Sequence, residues 1–184
     1  DTNSEHPDNA RFLKDCEVWY DHEIETIKSE KYEDVWDVWE STGWLVGPGG
    51  VRCSPELKKI PRRKYQKHDD LQVFGFDSGE VERAKRFRDN NVEVNLLTPL
   101  IDRNYSKADC GDVVMRAGIE LPEMYRLKFK HSNCPMCPRG GQGYWNKIRV
   151  VFPENFERMA KLERTLDVAI NKTYSAPGRK GERV

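Results

Sequence analysis

Leu71-Gln72-Val73-Phe74-Gly75-Phe76-Asp77-Ser78-Gly79-Glu80 is the stretch whose reading decides the fold. Its first six residues are nearly continuous in apolar character, which suits a strand buried on both faces of a parallel sheet. Residues 75–80 then turn the chain into a helix, with Val81, Ala84 and Phe87 expected to face inward. Residues 92–97 read as a second strand. Strands alternating with helices argue an open, mainly parallel sheet covered by helices, a three-layer α/β sandwich. In such sheets ligands sit beyond the carboxyl ends of the strands, and residues 1–5, 75–80 and 98–102 are expected at that edge.

Working outward toward the C-terminus, Ser106-Lys107-Ala108-Asp109 resembles a capping box that opens a helix. On that helix Cys110, Val113 or Val114, and Ala117 share one face, so Cys110 is expected to point inward from the first turn. A last helix starts near Pro153. Phe156, Met159, Leu162, Leu166 and Ile170 recur at spacings of three and four, a strong amphipathic pattern. The tail, residues 175–184, is rich in glycine and charge and reads as loop.

Toward the N-terminus, Pro7 suits the first turn of a helix on which Phe12, Cys16 and Trp19 mark a buried face. Cys16 is most simply a packing residue there. Ile24-Glu25-Thr26-Ile27 is a short strand candidate. Residues 30–50 look like an insertion or lid. Trp36 and Trp39 in it are expected to form a small satellite core, the alternative being a stacking surface for a base. Further on, Cys53 or Ser54 is expected to cap a helix with Pro55 in its first turn. That helix carries Lys58, Lys59, Arg62, Arg63, Lys64 and Lys67, with a break or kink at Pro61. Such a run is ordinarily a solvated face; beside a helix start it can instead hold phosphate or sulfate.

The 184 residues carry 31 basic and 31 acidic side chains, so net charge gives no argument for a nucleic-acid or membrane partner. No run approaches the ~18 apolar residues of a membrane span. Five cysteines, two of them in a CxxC, with no visible signal peptide, point to a reducing, cytoplasmic setting and to metal or redox use.

The CxxC lies in Asn133-Cys134-Pro135-Met136-Cys137-Pro138-Arg139-Gly140-Gly141. Its prolines and glycines keep the backbone out of helix and strand, and two thiolates two residues apart can meet one metal. This is half of a four-thiolate site. The other half has to come from among Cys16, Cys53 and Cys110.

In order along the chain, several segments resemble the phosphoadenosine-phosphosulfate (PAPS) reductase family of the adenine-nucleotide α-hydrolase-like superfamily. They are Asp1-Thr2-Asn3-Ser4-Glu5-His6-Pro7, Arg52-Cys53 with Lys58, Gly75-Phe76 with Glu80 and Arg83, Thr98-Pro99-Leu100, Leu121-Pro122-Glu123-Met124-Tyr125 and His131-Ser132-Asn133-Cys134-Pro135-Met136-Cys137. Similarity is greatest to the short members found in phages and mobile elements, where the segments around Cys110 and Gly143-Tyr144-Trp145-Asn146-Lys147 are also familiar.

The resemblance implies one α/β domain over residues 1–174. It implies binding of ATP or PAPS, and sulfur-transfer or reductive sulfur chemistry with a reductant protein as partner. Asp1 and Glu5 would lie near ribose or a metal. Arg52, Lys58, Arg83 and Arg86 would lie near phosphate or sulfate, with Gly75 and Glu80 at the same nucleotide site. His131 would donate a hydrogen bond beside the cysteines. Cys53, Cys134 and Cys137 would be ligands of a 4Fe–4S cluster, with zinc as the alternative and unmetallated thiols as the bland reading. Cys110 is expected as the fourth ligand, its thiolate favoured by the helix start.

Departures are visible too. The family's Ser-Gly-Gly-Lys-Asp-Ser loop belongs upstream of Asp1, so these residues are expected to lack the first strand and helix of the fold. No cysteine follows Cys137, where the reductases carry a Glu-Cys-Gly nucleophile. Lys128 stands where the short members have glycine, and is expected to close the pocket or add a phosphate contact. A different class of function, a catalytically inactive binding or regulatory protein, follows if the upstream loop is truly lost.

Overall fold

Helices α1 (Asp8–Tyr20) and α2 (Val35–Thr42) are the first regular elements of the computed structural model, which describes residues 1–173 and 182–183. The protein is mixed α/β. Where one domain over residues 1–174 is expected, the chain divides into two compact units. The first comprises Asp1–Asn9, Glu25–Lys64 and Glu123–Val184, the second Ala10–Ile24 and Tyr65–Pro122.

The first unit is built on α2. Asp34 caps it by accepting a 2.8 Å bond from the Asp37 N–H. Gly43 ends it at φ 63°, a left-handed conformation that glycine adopts without a Cβ penalty, and its N–H returns to the Trp39 carbonyl. Val35, Trp36, Val38 and Trp39 are all buried. They join Leu45, Leu57, Met124, Phe129, Met136, Trp145, Ile148, Met159 and Leu162 in one core. Neither Trp36 nor Trp39 offers a face on which a base could stack.

After α2 a short antiparallel hairpin pairs β1 (Val46–Gly47) with β2 (Gly50–Val51). The next helix does not start at a side-chain cap, because Ser54 is already helical and makes no capping bond. A π-helical turn, Pro55–Lys59, runs into α3 (Ile60–Tyr65), and the Ile60 N–H reaches back to the Pro55 carbonyl. Pro61 has no N–H to give the Leu57 carbonyl, and the wide turn lies immediately before it. The helix is therefore reshaped at Pro61 and continues.

The C-terminal half of this unit is helical: α7 (Glu123–Arg126), α8 (Gln142–Val151) and α9 (Pro153–Thr165). Pro153 occupies the first position of α9, where no N–H is needed. Met159 and Leu162 bury the amphipathic face expected of that helix. Most of the 175–184 tail lies outside the described residues; β6 (Glu182–Arg183) pairs antiparallel with β5 (Lys172–Thr173).

In the second unit β3 (Leu71–Val73) pairs in parallel with β4 (Asn95–Leu97), Leu71 opposite Asn95 and Val73 opposite Leu97. Both strands are shorter than the expected 71–76 and 92–97. Nor is β3 buried on both faces, since Leu71 and Val73 are more than half exposed. The apolar run keeps its buried role further on. Phe74 and Phe76 pack with Phe87 of α4 (Val81–Asp89), at 4.7 and 6.0 Å between ring centroids, over buried Ala84. Val81, expected inward, is exposed. The short α5 (Pro99–Asp102) follows β4, and then the capping box opens α6 (Lys107–Arg116) as expected. The Ser106 hydroxyl accepts from the Asp109 N–H and the Asp109 carboxylate accepts from the Ser106 N–H. Cys16 is buried on α1, while Ile24-Glu25-Thr26-Ile27 forms no strand.

Candidate functional site

The cysteine knuckle in the first unit is a pair of turns. The Cys137 N–H donates to the Cys134 carbonyl, and the Gly140 N–H to the Cys137 carbonyl, each at 3.0 Å. Tyr144, on the first turn of α8, donates its phenol to the same Cys134 carbonyl at 2.7 Å. Gly140 makes room for that ring; a Cβ there would run into it. Met136 between the two cysteines is a core residue, so the knuckle is anchored by its middle.

Two of the four expected metal ligands, Cys134 and Cys137, share the knuckle, and Cys53 belongs to the same unit. Burial pushes the Cys134 thiol up to about 11, against the pull of the Lys58 ammonium and a Thr2 hydroxyl 3.8 Å from its sulfur; Glu5 and Cys137 add to the rise. Burial also raises Cys53, with the charge of Cys137 next in weight and the Trp39 indole acting the other way. The fourth, Cys110, belongs to the second unit. The expected helix-start depression of its pKa is overturned: burial, Asp77 and Asp109 raise it.

Among the described residues, no three His, Cys, Asp or Glu side chains are drawn together at metal-holding geometry. The donor chemistry nonetheless suits a thiolate-held centre. Soft sulfur donors, largely shielded from water, are what zinc and iron–sulfur centres take. In the core of the same unit the Trp39 and Trp145 indole N–H groups are buried with no hydrogen-bond partner, and buried donors are normally satisfied.

The residues expected to hold nucleotide fall in two groups. In the first unit, Asp1 pairs with Lys28 at 3.0 Å, Glu5 with Lys58 at 3.3 Å, and exposed Arg52 with buried Glu56 at 2.9 Å. The N-terminal segment is held by Ser4, whose hydroxyl donates to the Thr2 carbonyl and accepts from the Val35 N–H at the start of α2. In the second unit, Gly75 lies exposed in the loop after β3, Glu80 pairs with Arg83, and the Arg83 guanidinium sits 5.3 Å from the Phe76 ring centre. Arg86 donates to the Glu82 carbonyl of its own helix. His131 is exposed.

Sequence reasoning passed over Thr2, Lys28 and Tyr144 as site residues. Thr2 and Tyr144 left a signal, their places in the Asp1–Pro7 and Gly143–Lys147 segments that carry the resemblance. Lys28 became a neighbour of the site through folding alone. Lys128, expected at a pocket, has φ 63° and follows α7, its N–H donating to the Tyr125 carbonyl. It fills a left-handed helix-end position, which explains a glycine there without any ligand.

Comparison with protein-family models, curated proteins and solved structures found no match for this chain.

Proposed function

We propose that the protein is a PAPS-reductase-like member of the adenine-nucleotide α-hydrolase-like superfamily, with the three-layer parallel-sheet architecture of that group. It binds ATP or a sulfonucleotide, holds a 4Fe–4S cluster or a zinc ion through cysteines, and takes part in sulfur-transfer or reductive sulfur chemistry in the cytoplasm with a reductant partner. One observation carries this reading. Three segments far apart in sequence, the N-terminal segment with Thr2 and Glu5, Cys53 with Lys58, and the Cys134–Cys137 knuckle, act electrostatically on one another within one unit.

Cys53, Cys134 and Cys137 would hold the centre. When bound, the centre supplies either redox capacity or a fixed set of thiolates. Lys58, paired with Glu5, favours the Cys134 thiolate by its charge and would hold a phosphate or sulfate group once Glu5 releases it. Burial around Cys134 keeps bulk water from the sulfur.

Anaerobically purified protein is expected to contain four irons with acid-labile sulfide, or one zinc. Cys134→Ser is expected to lower the metal content, and Cys16→Ser to leave it intact. ATP and PAPS titrations of wild type, Lys58→Ala and Arg83→Ala complete the test. Loss of a charged contact weakens binding about tenfold or more. Protein that takes up no metal and neither nucleotide overturns the reading.

A second reading has its own support: Arg52, Lys58 and Arg83 are each already neutralised by a carboxylate. That suits a family member that has lost nucleotide cleavage and serves as a binding or regulatory protein. Glu5→Gln separates the two. It tightens nucleotide binding if Glu5 merely competes with phosphate, and changes nothing if no nucleotide binds.

A further inference from the structure

Residues 58–64, Lys-Lys-Ile-Pro-Arg-Arg-Lys, hold five cations and no carboxylate. The helical run that carries them buries Leu57 and Pro61, four residues apart, and leaves Lys59 and Arg63, also four apart, exposed. Counter-charges come from other segments and reach only part of the run. Glu5 pairs with Lys58 and Glu30 with Lys64, whereas Lys59 and Arg63 meet no carboxylate among the described residues. The Lys64 and Glu30 side chains are both more than half exposed, so that pair holds Lys64 weakly. Like charges four apart on a helix repel one another, and an anionic partner would relieve that repulsion. The whole chain balances 31 cations against 31 carboxylates, so the attraction has to come from this patch itself.

The make-up of this face sorts the partners it fits. Ile60, 41% exposed, is its one large apolar side chain. That is too little for the apolar centre of a protein interface or for a seat in a bilayer. Residues 58–64 offer no aromatic ring on which a single-stranded base could stack. They do offer long charged side chains that only donate hydrogen bonds, which suits the phosphate oxygens of a duplex. Of the duplex forms, B-DNA has a major groove of about 12 Å that takes a helix face, while the narrow major groove of A-form RNA admits no side chains. We propose that residues 58–64 form a docking face for the phosphate backbone of duplex DNA, centred on Lys59 and Arg63 and without sequence preference. The face is separate from the nucleotide and metal reading, in which neither residue has a part.

The test is fluorescence anisotropy of a labelled, mixed-sequence DNA duplex titrated with the full chain at about 50 to 200 mM NaCl. Wild-type protein is expected to bind, with affinity falling as salt rises. Lys59→Ala and Arg63→Ala should each flatten the slope of log affinity against log salt by about 1. The double variant Lys59→Glu, Arg63→Glu should bind about tenfold or more weakly at the lower salt. Lys161→Ala is the matched control, an exposed cation on α9 of the same unit, and should leave the slope unchanged. Wild-type protein that does not bind the duplex at the lower salt overturns the proposal, and so does binding that the double variant leaves intact. Equal or tighter binding of an RNA duplex, of polyglutamate or of phosphatidylserine vesicles overturns it as well, because the face would then serve a different partner. ATP and PAPS titrations are separate measurements, so failure here leaves the nucleotide reading standing.

Discussion

The Tyr144 phenol and the Cys134 backbone carbonyl are joined by a 2.7 Å hydrogen bond, and the same carbonyl also accepts from the Cys137 N–H. The knuckle is therefore held from α8 as well as from within. Tyr144→Phe keeps the ring and removes the bond, and is expected to cost about 1 kcal/mol in denaturant unfolding. Gly140→Ala should cost more, about 1–3 kcal/mol, because the added methyl meets the Tyr144 ring. The reverse order of the two would remove Tyr144 as the clamp.

The buried thiol makes metal-free protein sensitive to alkali. Cys134 titrates at about 11 in the fold, above the ordinary thiol value, so folding favours its neutral form. That contribution is complete below about pH 9 and is lost as pH rises toward about 11, where the unfolded chain ionises first. Metal-free protein should lose about 2–3 kcal/mol over this window from Cys134. Cys53 and Tyr144 are shifted in the same direction, both chiefly by burial, and add to the decline. Unfolding midpoints of wild type and Cys134→Ser across this range check the assignment, and identical slopes would refute it.

Lys128 adopts φ 63° at the end of α7, a conformation that costs a residue with a Cβ about 1 kcal/mol relative to glycine. Lys128→Gly should therefore raise stability by several tenths to about 1 kcal/mol, seen as a higher melting temperature. A fall would mean that the Lys128 side chain makes a contact worth more than the strain.

Two residues of α8 separate core from surface. Ile148 is fully buried in the first unit's core, whereas Val150 is 80% exposed. Ile148→Ala should cost about 2–5 kcal/mol and Val150→Ala within ~0.5 kcal/mol. Comparable losses at both would mean that something covers Val150 in solution.

The Ser106 hydroxyl satisfies one of the orphan N–H groups of α6. Ser106→Ala should cost about 1 kcal/mol, and Ser106→Asp should retain most of the cap. Thermal melts of the three proteins decide it, and an unchanged Ser106→Ala would show that the helix start is held by other contacts.

What the sequence determined by itself is what depends on neighbours a few residues away. The Ser106 and Asp109 capping box is a reciprocal bond across one helical turn, so residue identity and spacing suffice. The spacing of Phe156, Met159 and Leu162 marks one helix face whatever covers it. Prolines around Cys134 and Cys137 exclude helix and strand locally. Tertiary structure decided the rest, because burial and charge pairing depend on which distant surfaces arrive. Leu71 and Val73 are as apolar as any core strand, yet nothing among the described residues covers them. Trp36 and Trp39 were expected in a small satellite core, and the packing of the 123–166 helices made them part of the first unit's main core. Lys58 and Glu5 carry no sequence signal of their pairing; they became neighbours only through the packing of segments that local rules leave independent.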